Sequence, residues 1–277
     1  MKVNHQVHLI RKEFSVTQKV KRYVNIYLIM GKYCYLIDSG VAGTQNLIAQ
    51  YLESIGRNLT DIKGIFLTHA HPDHIGAAAE LKRQTNCEIY APFEELPWIE
   101  DIQRQYLERP IPNFFELLSE SVKVSRPLKD GEKITLEEGI QIEAFYTKGH
   151  SHGSMSYLLN GEVIFSGDAI PVSYDLPIFV DYEQTLRSLD KLKNITGIQW
   201  CCPAWDDVYN GAKLEVVIEN SKEMLFRLKN IIIQVEKEFV NSSETEKVLE
   251  ICKRADMLKF LGNPLVVKSI EACRMCE

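Results

Sequence analysis

Phe66-Leu67-Thr68-His69-Ala70-His71-Pro72-Asp73-His74-Ile75-Gly76 is the segment on which the reading of this 277-residue chain turns. Ile62 to Leu67 before it is a short apolar run of strand type. Pro72 to Gln84 after it carries a helical pattern, with Pro72 in the first turn, where a missing N–H costs nothing. Three imidazoles and a carboxylate thus gather where a strand hands over to a helix. His69 and His71, two residues apart, point to one side while the chain stays extended; Asp73 and His74 fall on the turn that opens the helix. Such a donor set has borderline hardness, suited to zinc and able to accept iron or manganese. The bland alternative, polar residues satisfying a helix start, does not account for the clustering: of 7 His in the chain, five are His69, His71, His74, His150 and His152.

Two later segments extend the pattern. Lys148-Gly149-His150-Ser151-His152-Gly153-Ser154 is a loop after the strand Ile140 to Tyr146, and Phe165-Ser166-Gly167-Asp168-Ala169 places a carboxylate just past the strand Glu162 to Ser166. A loop-borne His150 and Asp168 have no evident packing role and read as further ligands. His152 reads by default as a solvated loop side chain.

On these residues the chain resembles the metallo-β-lactamase-fold hydrolase superfamily. His69, His71, Asp73 and His74 match its HxHxDH motif, Gly149-His150-Ser151 its next ligand, Ser166-Gly167-Asp168 its bridging carboxylate, and Ile37-Asp38-Ser39-Gly40 its early aspartate motif. The resemblance spans roughly residues 20 to 210. It implies an α/β (α+β) fold, a four-layer αββα sandwich with ligands on loops at one edge of the sheets and a C-terminal helical appendage. It further implies that His69, His71 and His150 hold one metal, that Asp73 and His74 hold a second, and that Asp168 bridges them. Asp38 would orient a ligand histidine or the turn beneath it. The implied cofactor is Zn2+, one or two ions, with iron or manganese as alternatives. The implied activity is a metal-dependent hydrolase in which metal-activated hydroxide attacks an ester, thioester or lactone carbonyl, Asp73 both ligating and accepting the water's proton.

One departure tempers that implication. Where the family has a further histidine, this chain reads Cys201-Cys202-Pro203-Ala204-Trp205-Asp206-Asp207, with Trp205 in the histidine's place. An indole has no lone pair to give a metal. Asp206 or Asp207 substitutes, water fills the gap, or the second site stays empty; Cys201 and Cys202 precede a proline and belong to a buried strand. The departure supports an alternative, a metal-binding regulatory or sensor protein with weak turnover.

The rest of the chain sets the frame. Thr44 precedes Leu47, Ile48, Tyr51, Leu52 and Ile55, an amphipathic helix with Thr44 as N-cap. Residues 92 to about 130 lose clear strand character and read as an insertion near the pocket. Asn160-Gly161 is a strong hairpin signal. Beyond 210 the pattern turns helical, so a domain over 1–210 and a helical region over 211–277 that covers the pocket or forms a homodimer contact are expected. Phe114, Phe115, Tyr174 and Phe179 are candidate pocket aromatics, with Tyr174 also a candidate oxyanion donor. A terminal Cys273-x-x-Cys276 is weak evidence of a metal pair.

Composition narrows the function. Lys+Arg 32 against Asp+Glu 38 gives a net charge of −6, which argues against a nucleic-acid partner, and the 211–277 region is itself neutral. No apolar run is long enough to span a membrane. Seven scattered Cys read as reduced thiols and a cytoplasmic location. A small-molecule substrate is the expected partner.

Overall fold

The computed structural model describes residues 1–17, 20–172 and 174–275. Twelve strands among these residues form two six-stranded sheets. The first holds, in order, β1 (Val7–Ser15), β2 (Lys21–Met30), β3 (Cys34–Ile37), β4 (Ile62–Phe66), β5 (Glu88–Pro92) and β6 (Arg126–Leu128). The second holds β7 (Lys133–Glu137), β8 (Ile140–Tyr146), β9 (Met155–Leu159), β10 (Val163–Gly167), β11 (Trp200–Pro203) and β12 (Tyr209–Asn210), in reverse order across the sheet. Helices α1 (Thr44–Ser54), α2 (Pro72–Ile75), α3 (Ala78–Thr85), α4 (Leu96–Ile99), α5 (Ile102–Glu108) and α6 (Phe114–Leu117) belong to the first half. Helices α7 (Tyr182–Asn194), α8 (Gly211–Glu238), α9 (Glu244–Arg254) and α10 (Pro264–Arg274) belong to the second.

Period-two alternation divides the apolar residues among three layers of core. Tyr27, Ile29, Tyr35, Ile37 and Phe66 face Ile142, Tyr157, Leu159 and Phe165 between the sheets. Their neighbours Ile26, Leu28, Leu36 and Ile65 point the other way, against Ile48 and Leu52 of α1 and Leu81 of α3. Ile164 and Cys201 face outward from the second sheet onto Leu189, Ile218, Leu225, Ile251 and Ile270 of α7 to α10. The result is the αββα sandwich, with α8 to α10 sharing one core with α7.

β3, β4, β8, β10 and β11 all run in the sense that puts their C-terminal ends at one edge. β3 and β4 are parallel, as are β10 and β11, while β8 and β10 are each antiparallel to β9 between them. Hydroxyls pin the sheets together there: Tyr157 donates to Leu67 O (2.6 Å) and Tyr27 to Pro203 O (2.7 Å). Loops leaving that edge are thereby held in place.

Local expectations need correction at two points. Thr44 is the first helical residue rather than the N-cap; Gly43, at φ 86°, takes the cap, and the Thr44 hydroxyl donates to Val41 O. The helix expected over Pro72 to Gln84 breaks into α2 and α3 at Gly76-Ala77, where Ala77 leaves regular helical geometry (φ −99°, ψ 0°); Gly76 itself sits so close to backbone that a Cβ would lie 2.4 to 2.6 Å from atoms of Leu117, Ala42 and Val41. The buried strand expected to hold Cys201 and Cys202 is β11, which begins at Trp200, and β1 was not legible at all. Cys276 lies outside the described residues.

Candidate metal centre

His69 and His71 leave the end of β4, His150 follows β8 and Asp168 follows β10, and the fold closes these segments onto one another. His69 Nε2 and His150 Nε2 each lie 2.9 Å from His71 Nδ1. The protons are accounted for elsewhere. His150 Nδ1 is 2.9 Å from Ile178 O, a group that only accepts, so Nδ1 carries the hydrogen and Nε2 presents a lone pair. Thr68 Oγ1 lies 2.9 Å from Asp38 Oδ2, to which its hydroxyl donates, and therefore accepts from His69 Nδ1 at 3.0 Å. His69 Nε2 is then also a bare lone pair. Lone pairs converging at this distance in a buried place fit a cation.

A second group abuts the first. His74 Nδ1 lies 2.7 Å from Asp38 Oδ2, while His74 Nε2 faces Asp73 Oδ2 and Asp168 Oδ1, both at 3.3 Å. Asp168 Oδ2 lies 3.2 Å from His150 Nε2, so this carboxylate touches both groups. His74 Nε2 and Asp168 Oδ1 are buried without a hydrogen-bond partner. Two orphaned polar atoms aimed at one point are the mark of a site that expects an ion. His69, His71 and His150 could hold one metal, and His69, His74 and Asp168 a second, with Asp73 at its margin.

The backbone is shaped to this end. Asp38 adopts φ 60°, an uncommon conformation for a non-glycine, and its carboxylate accepts from Thr68 N at 2.8 Å as well as from Thr68 Oγ1. Gly149, just before His150, has φ 126°, and a Cβ there would lie 2.2 to 2.6 Å from Thr185. Electrostatics divides the histidines. Burial, then mutual repulsion with neighbouring cations, pushes His69 and His71 well below the usual histidine pKa; burial also lowers His150, against the pull of Asp168. Burial opposes charge on His74 too, but Asp168, Asp73 and Asp38 together hold its pKa well above the usual value. Burial raises the Asp38 carboxyl despite His74, whereas at Asp73 the effect of burial is outweighed by His74 and the pKa falls.

The family model for the metallo-beta-lactamase superfamily matches residues 20–196, a stretch that contains every one of these side chains. The chain belongs to the metallo-beta-lactamase superfamily. It is 28% identical over 190 residues to a probable metallo-hydrolase of Methanocaldococcus jannaschii, covering 66% of this chain and 88% of the relative. It is 24% identical to a probable polyketide biosynthesis zinc-dependent hydrolase of Bacillus velezensis, over 81% of this chain and 92% of the relative. A metallo-beta-lactamase family protein of Thermus thermophilus superposes with a TM-score of 0.75 at 19% identity, covering 98% of this chain and 93% of the other, which speaks for the fold.

In this superfamily member the supports come from outside the motif. Glu95, 4% exposed, accepts from Ala70 N (3.0 Å) with one oxygen and from Ser151 Oγ and Gly153 N (both 2.7 Å) with the other, tying the His69–His71 segment to the His150 loop. Gln105 of α5 donates to Ala70 O at 2.6 Å, so the residue between His69 and His71 is clamped at both backbone groups. Ser269 of α10 donates to Pro177 O at 2.8 Å and steadies the loop whose Ile178 carbonyl orients His150. Thr68 relays between His69 and Asp38. Sequence patterning missed all four; only the assignment of 92–130 to the pocket hinted at Glu95 and Gln105.

A cavity of about 300 Å³ opens on the His71 and His150 side, walled by Trp98, Arg109, His152, Phe179 and Lys268 among others. The exposed His152 stands at its rim. Other candidates lie elsewhere. Phe114 is buried in the core outside the first sheet, Phe115 is exposed, and Tyr174 is exposed beside Asp206 and outside the cavity wall. Asp206 and Asp207 join neither ligand group among the described residues; Asp207 pairs with Arg11 at 3.5 Å. Cys201 and Cys202 are buried in β11, where burial raises both thiols, Cys201 to about 12. Trp205 packs edge-on to Phe14, and its carbonyl accepts from Tyr23 OH at 2.8 Å.

Proposed function

We propose that this protein is a metal-dependent hydrolase acting on a carbonyl substrate of ester, thioester or lactone type. The observation that carries the reading is the convergence of imidazole nitrogens from His69, His71 and His150 beside a cavity sized for a small molecule, which His71 and His150 line. When bound, a divalent ion, zinc by the chemistry of the donors, supplies Lewis acidity and acidifies water. His69, His71 and His150 would hold one ion, and His74, Asp73 and Asp168 would hold a second. Thr68 and Ile178 O fix the tautomers of His69 and His150, so their inward nitrogens need no proton rearrangement, while Asp38 orients His74 through Nδ1. Asp73, kept ionised beside His74, accepts the proton of the attacking water at its free carboxylate face.

The partner is then a small molecule rather than nucleic acid, and a cytoplasmic setting accords with thiols buried in β3 and β11. No helix among the described residues is long and apolar enough to cross a membrane. Trp205 supports a second reading. Ala204 N donates to Gly167 O at 3.0 Å, which brings the segment of Trp205 beside the Asp168 turn, and an indole, its Nε1 buried and unpartnered, stands in the sequence where the resemblance expects a ligand histidine. On that reading the protein binds metal for a regulatory purpose and turns over weakly. A panel of esters, thioesters and lactones separates the two. Turnover of any member that His71→Ala or Asp168→Ala abolishes supports the hydrolase; stoichiometric metal with no turnover across the panel supports the regulatory protein.

A further inference from the structure

The cavity wall carries charge that the metal centre does not explain. Arg104 pairs with Glu108 at 2.8 Å, and both Glu95 oxygens are committed to the clamp on Ala70, Ser151 and Gly153. Two cations of the wall are left. Arg109, which caps the C-terminus of α5, is 8% exposed, and among the described residues its guanidinium has neither a hydrogen-bond acceptor nor an ion-pair partner. Lys268, on α10, is half-buried and likewise has neither. A guanidinium with no protein acceptor at a cavity wall offers its donors to whatever fills the cavity, and an acid group matches that fork best. The carboxylates nearest in its field, Asp73, Asp168 and Glu95, are turned to His74, His150 and the clamp.

We infer that Arg109 and Lys268 form an acid-binding subsite beside the metal centre, so that the substrate carries a carboxylate or phosphate group apart from the bond that is cleaved. The two cations come from the insertion and from the C-terminal helices, both of which line this cavity. A planar fork suits bidentate capture of an acid group, and Lys268 adds a point charge to the same cavity.

The substrate arm of the test rests on the hydrolase reading; the binding arm does not. Hydrolysis of mono-p-nitrophenyl succinate, which is anionic, is compared with that of neutral p-nitrophenyl propionate as a ratio of kcat/KM. The parent favours the anionic ester, and the ratio falls about tenfold or more in Arg109→Gln and in Lys268→Gln but is largely kept in Arg109→Lys. A ratio unchanged in both glutamine variants overturns the subsite. In parallel, calorimetry of the metal-loaded protein with succinate and with inorganic phosphate shows Kd rising about tenfold in Arg109→Gln, the tighter of the two anions naming the acid group. Binding unchanged in that variant overturns the subsite, because an anion held by the metal alone would not notice Arg109. If neither ester is turned over while anion binding still weakens in Arg109→Gln, the subsite stands and the hydrolase reading falls.

Discussion

The two ligand groups share His69 and meet at Asp168, yet they are built from opposite chemistry. In the first, His69, His71 and His150 are neutral, and the outward nitrogens of His69 and His150 rest on neutral partners, a threonine hydroxyl and a backbone carbonyl. In the second, the histidine that is not shared, His74, is ringed by Asp38, Asp73 and Asp168. The first group offers lone pairs that only a cation can use; the second already holds a proton on His74 that neutralises part of its own charge. The first should therefore keep its ion, and the second should take one only by displacing that proton, with Trp205 giving no help. Their scaffolding differs in the same way: Glu95, Gln105 and Ser269 brace the first from the insertion and the C-terminal helix, whereas the second hangs on the strained turn at Asp38.

The sharpest way to break the comparison is to remove one member of each group. His71→Ala takes away the nitrogen on which the first group closes, and kcat/KM is expected to fall by about a thousandfold or more with loss of the retained ion, read by steady-state kinetics and elemental analysis. Asp38→Asn leaves every ligand in place but removes the charge that orients His74. Metal affinity of the second group should fall about 10- to 100-fold while the first is unaffected, as measured by titration with a chromogenic chelator. Glu95→Ala tests the bracing: it leaves three buried donors unpaired and should cost about 2 to 4 kcal/mol in urea unfolding, with no change in metal stoichiometry at saturating zinc.

Acidity provides the smallest and most selective probe. His69, His71 and His150 have folded pKa values below the unfolded value of about 6.5, so the unfolded chain binds more protons than the native one as pH falls beneath it. Metal-stripped protein should thus lose stability from these groups as pH drops from 7 through 5.5. His74, with its raised pKa, contributes the reverse: stability fully present below about 6.5 and lost as pH climbs through its folded value. His150→Gln should flatten the acid limb and leave the alkaline one intact; both limbs unchanged would mean that the two groups do not differ in charge.

The site was legible in the chain where residue type and spacing were both unusual. Histidines at 69, 71 and 74 with an aspartate at 73 have few structural uses, and Asp38, His150 and Asp168 each sit in short segments that follow strands. The layers were legible because β2, β8, β9 and β10 are apolar and bounded by turn residues. What escaped depends on contacts between distant segments. Glu95, Gln105 and Ser269 are ordinary polar residues until Ala70 and Pro177 are brought against them, and no local pattern announces that. β1 escaped because Arg11, Lys12 and Glu13 interrupt its apolar run: the outer half of a long hairpin with β2 has little to bury. Trp205 was recognised as a departure, but its setting among Phe14, Tyr23 and the Asp168 turn required the fold.

The account's central claim, that the His69, His71 and His150 group is the firm metal site and the His74 and Asp168 group the weak one, is tested most directly by counting metal. Protein purified without added metal is dialysed and analysed beside Trp205→His and His71→Ala. The account predicts about one ion in the parent, two in Trp205→His and a marked loss in His71→Ala. Two equally retained ions in the parent, or an unchanged count in His71→Ala, would contradict it.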